Sequence, residues 1–254
     1  MYELTAEEIR ENLKEVRANV AAACARGGRG AGEVTLCAVS KLKPASDIRA
    51  AMEAGQLLFG ENYVQELRDK YAELGDACQW HMIGHLQRNK VKYLTGKVSM
   101  IESVDSTELA RQIEKEAAKY ESSAAPAEGP ADPKARSSYV MDILLEVNIA
   151  GEESKWGFRP EETIAAAREI DAMEHIRIRG LMTSAPYTED PETNRIHFRA
   201  LKALFDELAA AGLSGAQIDT LSMGMTGDYV VAVEEGATLI RVGTGIFGRR
   251  DYSK

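Results

Sequence analysis

The sequence predicts an α/β protein, a (β/α)8 TIM barrel with parallel strands and an extra helix at its N-terminus. Eight short, mostly apolar runs follow one another, and most are separated by an amphipathic helical pattern. This alternation is typical of a parallel sheet whose outer face is covered by helices. The length of 254 residues suits a barrel that forms one domain, here 1–254.

The extra helix is predicted over 5–24, before the first strand. Thr5 and Glu8 have the spacing of a capping box, in which each side chain accepts from the other residue's backbone N–H. The glycine-rich run 27–32 then ends the helix, because glycine readily adopts the backbone angles that follow a helical C-terminus.

The eight strands are predicted at regular intervals from residue 34 onward. They are VTLCAVS (34–40), LLFGENY (57–63), QWHMIG (79–84), VSMIES (98–103), DILLEVN (142–148), IRIRGLM (176–182), IDTLSMG (218–224) and TLIRVGT (238–244). Helical patterns lie between them, among them 46–54, 107–120, 160–172 and 194–211. Eight strands close a barrel. An open doubly wound sheet is the alternative, but it calls for fewer strands and a glycine-rich loop after the first, which this chain lacks.

One segment departs from the alternation. Residues 121–138, ESSAAPAEGPADPKARSS, are rich in Ala, Ser and Pro and have no apolar periodicity. Such a composition predicts a flexible surface insertion between a helix and the fifth strand. A second domain boundary at this segment is the alternative.

Composition and charge exclude several classes of protein. Asp and Glu total 40 against 31 Lys and Arg, and the net charge of −9 argues against nucleic-acid binding. Cys24, Cys37 and Cys78 are odd in number and lack CxxC spacing, as expected of free thiols in a reducing compartment. No apolar run has the length of a membrane span or a secretory leader, so a cytoplasmic protein is expected.

A metal site is not expected from the two histidines His81 and His85. Their spacing suits ligands on a helix face, yet His81 lies in a predicted strand. No nearby Cys, Asp or Glu in the sequence completes a ligand set. Both are therefore interpreted as structural or site-lining residues.

The first candidate functional residue is Lys41, at the end of the first strand. In barrels the C-terminal ends of the strands carry the active site. A dry pocket favours the neutral form of a lysine, and a neutral amine can attack an aldehyde to form a Schiff base. A lysine in a surface loop is the alternative.

The last strand carries the second candidate, the run from Gly243 through Thr244 to Gly248. It reads GxGxxG, but only six residues follow it, too few for the βαβ unit of a dinucleotide site. We expect backbone N–H groups of this run, that of Gly243 among them, and the hydroxyl of Thr244 to hold a phosphate, because the ends of strands seven and eight are the usual phosphate site in barrels. Ser222 and Met223 stand at the tip of the preceding strand, where Ser222 can add a second hydroxyl. A plain turn that needs glycine is the alternative.

The third candidate is Arg241, three residues before Thr244 on the same strand. If Thr244 faces a phosphate, Arg241 is buried inside the barrel and needs an acceptor. The nitrogen of a pyridine ring would serve, and arginine would keep it unprotonated. A salt bridge to Glu146 is the alternative. An amine for an aldehyde, a phosphate cradle and an arginine for a ring nitrogen together describe pyridoxal 5′-phosphate (PLP).

Several stretches also resemble one protein family. They are AVSKLKP (38–44), FGENYVQE (59–66), WHMIGHLQRNK (80–90), VNIAGEESKWGF (147–158), RGLM (179–182), LSMGMTGDY (221–229) and RVGTGIFGRR (241–250). In these the chain resembles the pyridoxal phosphate homeostasis proteins, single-domain relatives of the barrel half of alanine racemase. The resemblance implies PLP on Lys41, Asn62 near the ring, Arg241 at the pyridine nitrogen, and Ser222, Gly243 and Thr244 on the phosphate. His85 and Trp156 depart from the family pattern, and neither is expected to disturb cofactor binding.

Two functions remain open at this point. The first is a protein without turnover that holds PLP for intracellular vitamin B6 homeostasis and passes it to apo-enzymes, as a monomer or weak homodimer. The alternative is a PLP-dependent amino-acid racemase, which needs bases on both faces of the substrate. In the racemases that the barrel resembles, the second base is a tyrosine from a further C-terminal domain of the partner subunit. The sequence ends ten residues after Thr244, and nothing in it places Tyr63 or Tyr229 opposite Lys41.

Overall fold

The computed structural model describes residues 4–124 and 139–249, and it confirms the eight-stranded parallel barrel. The strands are β1 Thr35–Val39, β2 Leu58–Glu61, β3 Gln79–Met82, β4 Met100–Val104, β5 Met141–Glu146, β6 Ile176–Met182, β7 Thr220–Met225 and β8 Leu239–Val242. Each pairs with the next, and β1 closes the barrel against β8 with Thr35 opposite Leu239.

Helices cover the outer face of the barrel. They are α1 Ala6–Arg26, α2 Ala45–Glu53, α3 Val64–Leu74, α4 Thr107–Ala124, α5 Pro160–Ile170, α6 Arg195–Ala210, α7 Tyr229–Glu234 and the single turn α8 Thr244–Phe247. Between β3 and β4 the chain forms a 3-10 helix, Arg88–Tyr93, where the repeating pattern would place an α-helix. None of the helices in 4–124 and 139–249 has the length and apolar character needed to cross a membrane.

The N-terminal helix α1 is the additional helix that the sequence predicts. Glu8 N–H donates to Thr5 Oγ1 at 3.3 Å and Thr5 N–H donates to Glu8 Oε2 at 2.7 Å, which completes the capping box. Its apolar face, with Leu13 and Val16 buried, packs against α2, α7 and α8. Since α7 and α8 flank β8, α1 supports the wall that carries Arg241 and Gly243.

The barrel has an apolar layer under the helices and a polar interior towards the C-terminal ends of its strands. Phe59, Ile101 and Leu181 are fully buried in the layer between strands and helices. The buried polar and charged residues include Ser40, Glu61, Glu102, Ser222 and Arg241, which follow or lie on different strands. Buried polar groups need hydrogen-bond partners, so this interior is the place to look for function.

The boundary predicted for the insertion 121–138 is wrong at its start. Residues 121–124 continue α4, and Glu121 Oε2 lies 2.9 Å from His175 Nε2. The apolar periodicity fades near residue 120, but alanine and serine still allow a helix to continue where a polar contact holds it. Residues 125–138 lie outside the described residues, so the rest of that prediction stays a prediction.

Candidate functional site

A cavity of about 660 Å³ opens at the C-terminal ends of the strands. Its volume lies in the range of small-molecule sites. Five of the seven predicted site residues line it: Lys41, Asn62, Arg241, Gly243 and Thr244. These residues come from both ends of the chain, and the closure of β8 on β1 brings them together.

Lys41 lies in the turn between β1 and α2 and is half-buried in the cavity wall. The cavity also contains a second lysine, Lys155, which the search of strand ends missed. Lys155 Nζ donates to the carbonyl of Ser184 at 3.0 Å and pairs with Glu152 at 2.8 Å. Lys155 belongs to the loop after β5, and this loop folds back over the cavity. Because Lys155 is not at the end of a strand, its position in the sequence does not indicate that it reaches the cavity.

Arg241 is buried, with 5% of its surface exposed, as predicted. Its guanidinium donates to Ser222 Oγ and, at 2.6 Å, to the carbonyl of Thr183. Its ion-pair partner is Glu102, at 3.8 Å, and not Glu146. Glu102, which points inward from β4, therefore balances the charge of Arg241. The spacing of residues along the sequence does not indicate that β4 supplies this partner.

Ser222 and Met223 do not line the cavity. Ser222 Oγ donates to Glu102 Oε2 at 2.6 Å and accepts from Arg241, so it lies in the polar network beneath the cavity. The Met223 side chain is fully buried among the apolar residues under the helices, as the alternation of a strand requires when its neighbour points inward. The contact of Ser222 with a phosphate and the contribution of Met223 to cofactor binding stay predictions.

His81 has a Cys and a Glu beside it in the fold, so the prediction that no nearby Cys, Asp or Glu completes a ligand set is wrong. His81 Nδ1 lies 2.6 Å from Glu102 Oε1, and Cys37 lies in the same buried group, with ligand atoms within 4.8 Å of one another. The three residues come from β3, β4 and β1, so only the closed barrel brings them together.

The contacts within this group favour a hydrogen-bonded network over a metal centre. Burial would raise the pKa of the Glu102 carboxyl, but the hydrogen bond to His81, with the charges of His81 and Arg241, brings it below its usual value. Both Glu102 oxygens already have hydrogen-bond partners, His81 and Ser222. Burial raises the pKa of the Cys37 thiol well above its usual value, which disfavours the thiolate that a metal needs.

Glu146, at the end of β5, is a cavity residue that the sequence suggested only as a partner for Arg241. Burial raises the pKa of its carboxyl to about 7, and the charge of Asp105 adds to this, while Arg241 and Lys155 act against it. An acid that titrates near neutrality is thus part of the wall.

The glycine run predicted to hold a phosphate lies at the ends of β7 and β8, next to Thr226, a residue that the sequence analysis did not single out. The backbone N–H groups of Gly243 and Gly245 donate to Thr226 Oγ1 at 3.2 and 3.3 Å. Thr226 also lines the cavity, as does Thr244. Its signal was the LSMGMTGDY stretch, in which the hydroxyl lies just beyond β7. Two hydroxyls and two glycine amides therefore meet at one end of the cavity.

Asn62 supplies an unsatisfied acceptor. Its Oδ1 is buried and, within 4–124 and 139–249, has no hydrogen-bond partner. A β-carbon at Gly84 would lie 2.6 Å from the carbonyl oxygen of Asn62, so only glycine lets the loop after β3 pass this close. A buried acceptor without a donor is costly, which suits a ligand hydroxyl at this position.

Comparisons with known proteins agree with this geometry. Residues 11–251 match the family of the alanine racemase N-terminal domain. A pyridoxal phosphate homeostasis protein from Aquifex aeolicus is 41% identical over 243 residues, which cover 95% of this chain and 98% of that protein. The protein of the same name from Escherichia coli K12 is 37% identical, over 97% of this chain and 99% of its own. The chain belongs to the pyridoxal phosphate homeostasis protein family. This confirms the family resemblance stated from its motifs.

Solved structures show how far the likeness extends. PipY of Synechococcus elongatus PCC7942, solved with PLP bound, is 32% identical with a TM-score of 0.76, covering 94% of this chain and 100% of that one. Alanine racemase of Clostridium difficile 630, in complex with cycloserine, has a TM-score of 0.71 at 14% identity. It covers 97% of this chain and 61% of the racemase, and at this identity it shows the fold alone.

The two departures from the homeostasis-family pattern contact each other. The rings of His85 and Trp156 stack with centroids 3.9 Å apart and planes 13° apart. Neither residue lines the cavity that holds Lys41; both border a second, shallower depression beside it.

Proposed function

We propose that this member of the pyridoxal phosphate homeostasis family binds PLP in the cavity and holds it as a Schiff base on Lys41. Its role is then intracellular PLP homeostasis without catalytic turnover. The observation that carries the proposal is the meeting of Lys41, Arg241 and Gly243–Thr244 in one cavity. Each meets a different part of PLP: the aldehyde, the ring nitrogen and the phosphate.

PLP supplies an electrophilic aldehyde when bound, and Lys41 supplies the nucleophile. Lys41 would hold PLP through its amine, which can condense with the aldehyde to a C=N bond with loss of one water. Arg241 would hold the ring nitrogen and, since it keeps its proton, would leave that nitrogen unprotonated. An unprotonated ring withdraws electrons weakly, which suits storage better than carbanion chemistry.

The remaining polar groups orient the molecule. Asn62 Oδ1, a buried acceptor, receives a ligand hydroxyl next to the ring. Thr226 and Thr244, which line the cavity, receive the phosphate, and the amides of Gly243 and Gly245 turn towards it from Thr226 Oγ1, to which they donate in the structure. Binding of an anion by such amides and hydroxyls needs no lysine in the cradle.

The positions of the tyrosines favour a carrier over a racemase. Tyr63 is exposed and lies outside the cavity lining. Tyr229 accepts a hydrogen bond from Asn19 of α1 at 3.0 Å, on the outer side of the barrel. Tyr187 borders the cavity but is 92% exposed, unlike a base held against a substrate. The proposal includes PLP-dependent apo-enzymes as recipients, and a cytoplasmic monomer or weak homodimer.

The test combines spectroscopy with proton exchange. The purified protein, incubated with PLP, is expected to show the absorbance band of a Schiff base, and Lys41→Ala is expected to lose it. Lys202→Ala is the matched control, because Lys202 pairs with Asp206 on the exposed side of α6. L- and D-alanine in deuterated water are expected to keep their α-proton. Sustained exchange would favour the racemase, and an unchanged band in Lys41→Ala would refute Lys41 as the anchor.

A further inference from the structure

Lys70, on α3, is buried with 7% of its surface exposed, and it lies outside the cavity lining. Lysine is almost never buried without partners. Its Nζ donates to the Ser40 carbonyl at 2.7 Å, to Glu61 Oε1 at 2.6 Å and to Glu66 Oε1 at 2.6 Å. These contacts match the three hydrogens of an ammonium group.

The three acceptors lead to both neighbours of Lys41. On one side, Ser40 is held by its carbonyl and also by its hydroxyl, which donates to Glu61 Oε1 at 2.6 Å. On the other side, Leu42 N–H donates to Glu66 Oε1 at 2.6 Å. One ammonium therefore ties down the residues before and after Lys41.

The turn that carries Lys41 needs such support. Leu42 has a φ of 60°, the only positive φ of a non-glycine residue in 4–124 and 139–249. A leucine in the left-handed region is strained, because its β-carbon lies too close to the backbone, so it persists only where contacts on both sides hold it. The hydrogen bond from Lys43 N–H to the Ser40 carbonyl, at 3.0 Å, closes the turn on the same oxygen that Lys70 holds.

The positive charge of Lys70 also compensates the two carboxyl groups that it contacts, Glu61 and Glu66. Burial raises the pKa of the Glu61 carboxyl to about 7, although the adjacent Lys70 lowers it. Glu61 Oε2 is buried and lacks a hydrogen-bond partner in the part of the chain described. Without the ammonium, two carboxylates would face each other across a dry space, and the contact from Glu66 to Leu42 would lose its counter-charge.

We propose that Lys70 is a positioning residue for Lys41: through Ser40, Glu61 and Glu66 it fixes the turn that aims the Lys41 amine into the cavity. The inference rests on the proposed function, because it concerns the amine that bonds to PLP. A displacement of about 1 Å at a reacting group lowers its reactivity by up to about a hundred-fold. Lys70 therefore acts on formation of the covalent bond, and little on binding of the phosphate and ring.

The experiment compares two ligands. PLP reports bond formation, while pyridoxine 5′-phosphate, an alcohol that cannot form a Schiff base, reports binding alone. In Lys70→Met the rate and extent of Schiff-base formation are expected to fall at least about ten-fold, with pyridoxine 5′-phosphate affinity within about two-fold of wild type. Lys202→Met, which removes a half-buried lysine that lies outside the cavity lining, is expected to change neither. Glu66→Ala removes the tether of Leu42 and leaves the buried Lys70 paired with Glu61, and a smaller loss in the same direction is expected.

Three outcomes would overturn the inference: unchanged bond formation in Lys70→Met, parallel losses for both ligands, or an effect equal to that of the control. If Lys70→Met does not fold by circular dichroism, Glu66→Ala decides, and normal bond formation in it would overturn the inference. Lys41→Ala in the same assay separates the proposed function, in which Lys41 is the anchor, from the positioning role of Lys70. If it still forms the Schiff base, the proposed anchor is wrong, whereas its loss with normal reactivity in Lys70→Met refutes the positioning role alone.

Discussion

Replacing Glu146 with glutamine is expected to change how the stability of the apo protein depends on pH. The carboxyl has a pKa near 7 in the folded chain because of burial, against 4.5 for an unperturbed glutamate. A raised folded pKa means that this group favours the folded state at low pH. That contribution is lost as the pH rises from 4.5 towards 7, since the unfolded chain ionises the carboxyl first. The difference corresponds to about 3 kcal/mol at 25 °C.

Urea unfolding at about pH 4.5 and about pH 8.5 measures the effect. Glu146→Gln cannot ionise, so its stability relative to wild type is expected to rise by about 3 kcal/mol between the two pH values. Glu153→Gln, an exposed residue in the following loop, is the matched control, and its difference from wild type is expected to stay constant. A pH-independent difference for Glu146→Gln would show that the cavity wall is well solvated and that the argument from burial fails.

Two further substitutions test the network beneath the cavity and its rim. Arg241→Met removes one of the two positive groups beside the buried Glu102, leaving only His81, and is expected to cost about 3–5 kcal/mol in urea unfolding. The double variant with Glu102→Gln is expected to regain part of the stability lost in Arg241→Met. If the stability losses of the two single variants simply add in the double variant, Arg241 and Glu102 are not paired. Gly84→Ala places a β-carbon 2.6 Å from the Asn62 carbonyl oxygen, and is expected to weaken PLP affinity at least about ten-fold. Unchanged affinity would show that the position of Asn62 does not matter.

The barrel could be predicted because each of its elements carries a local signal. The strands are short apolar runs bounded by helical patterns, and α1 begins with the capping pair Thr5 and Glu8. The ends of helices and strands are harder to predict, because the apolar periodicity fades where tertiary contacts still hold the chain in a helix or strand. The last residues of α4 show this, since Glu121 contacts His175 across the helix layer.

The site could be predicted only where its residues end a strand. Lys41, Arg241, Gly243 and Thr244 do so, and all line the cavity. Lys155 lies in a loop that folds back to the cavity, which no local pattern records.

Contacts across the barrel escaped prediction for the same reason. Glu102 binds His81, Ser222 and Arg241, residues that come from three other strands. Ser222 was assigned to the phosphate from its position at a strand end, and the structure gives its hydroxyl to this buried network. Which inward side chains meet depends on the stagger of the closed sheet, and a single strand does not show it.

The central claim is that Lys41 bears the cofactor, and one chemical measurement tests it most directly. Borohydride reduction of the PLP-loaded protein converts a Schiff base into a stable secondary amine, whose position peptide mass spectrometry then gives. Among the residues that the structure describes, Lys41 and Lys155 are the lysines that line the cavity, so the result discriminates between them. The account predicts the adduct on Lys41 and its loss in Lys41→Ala. An adduct chiefly on Lys155 in the wild-type protein, or on neither lysine, would contradict it.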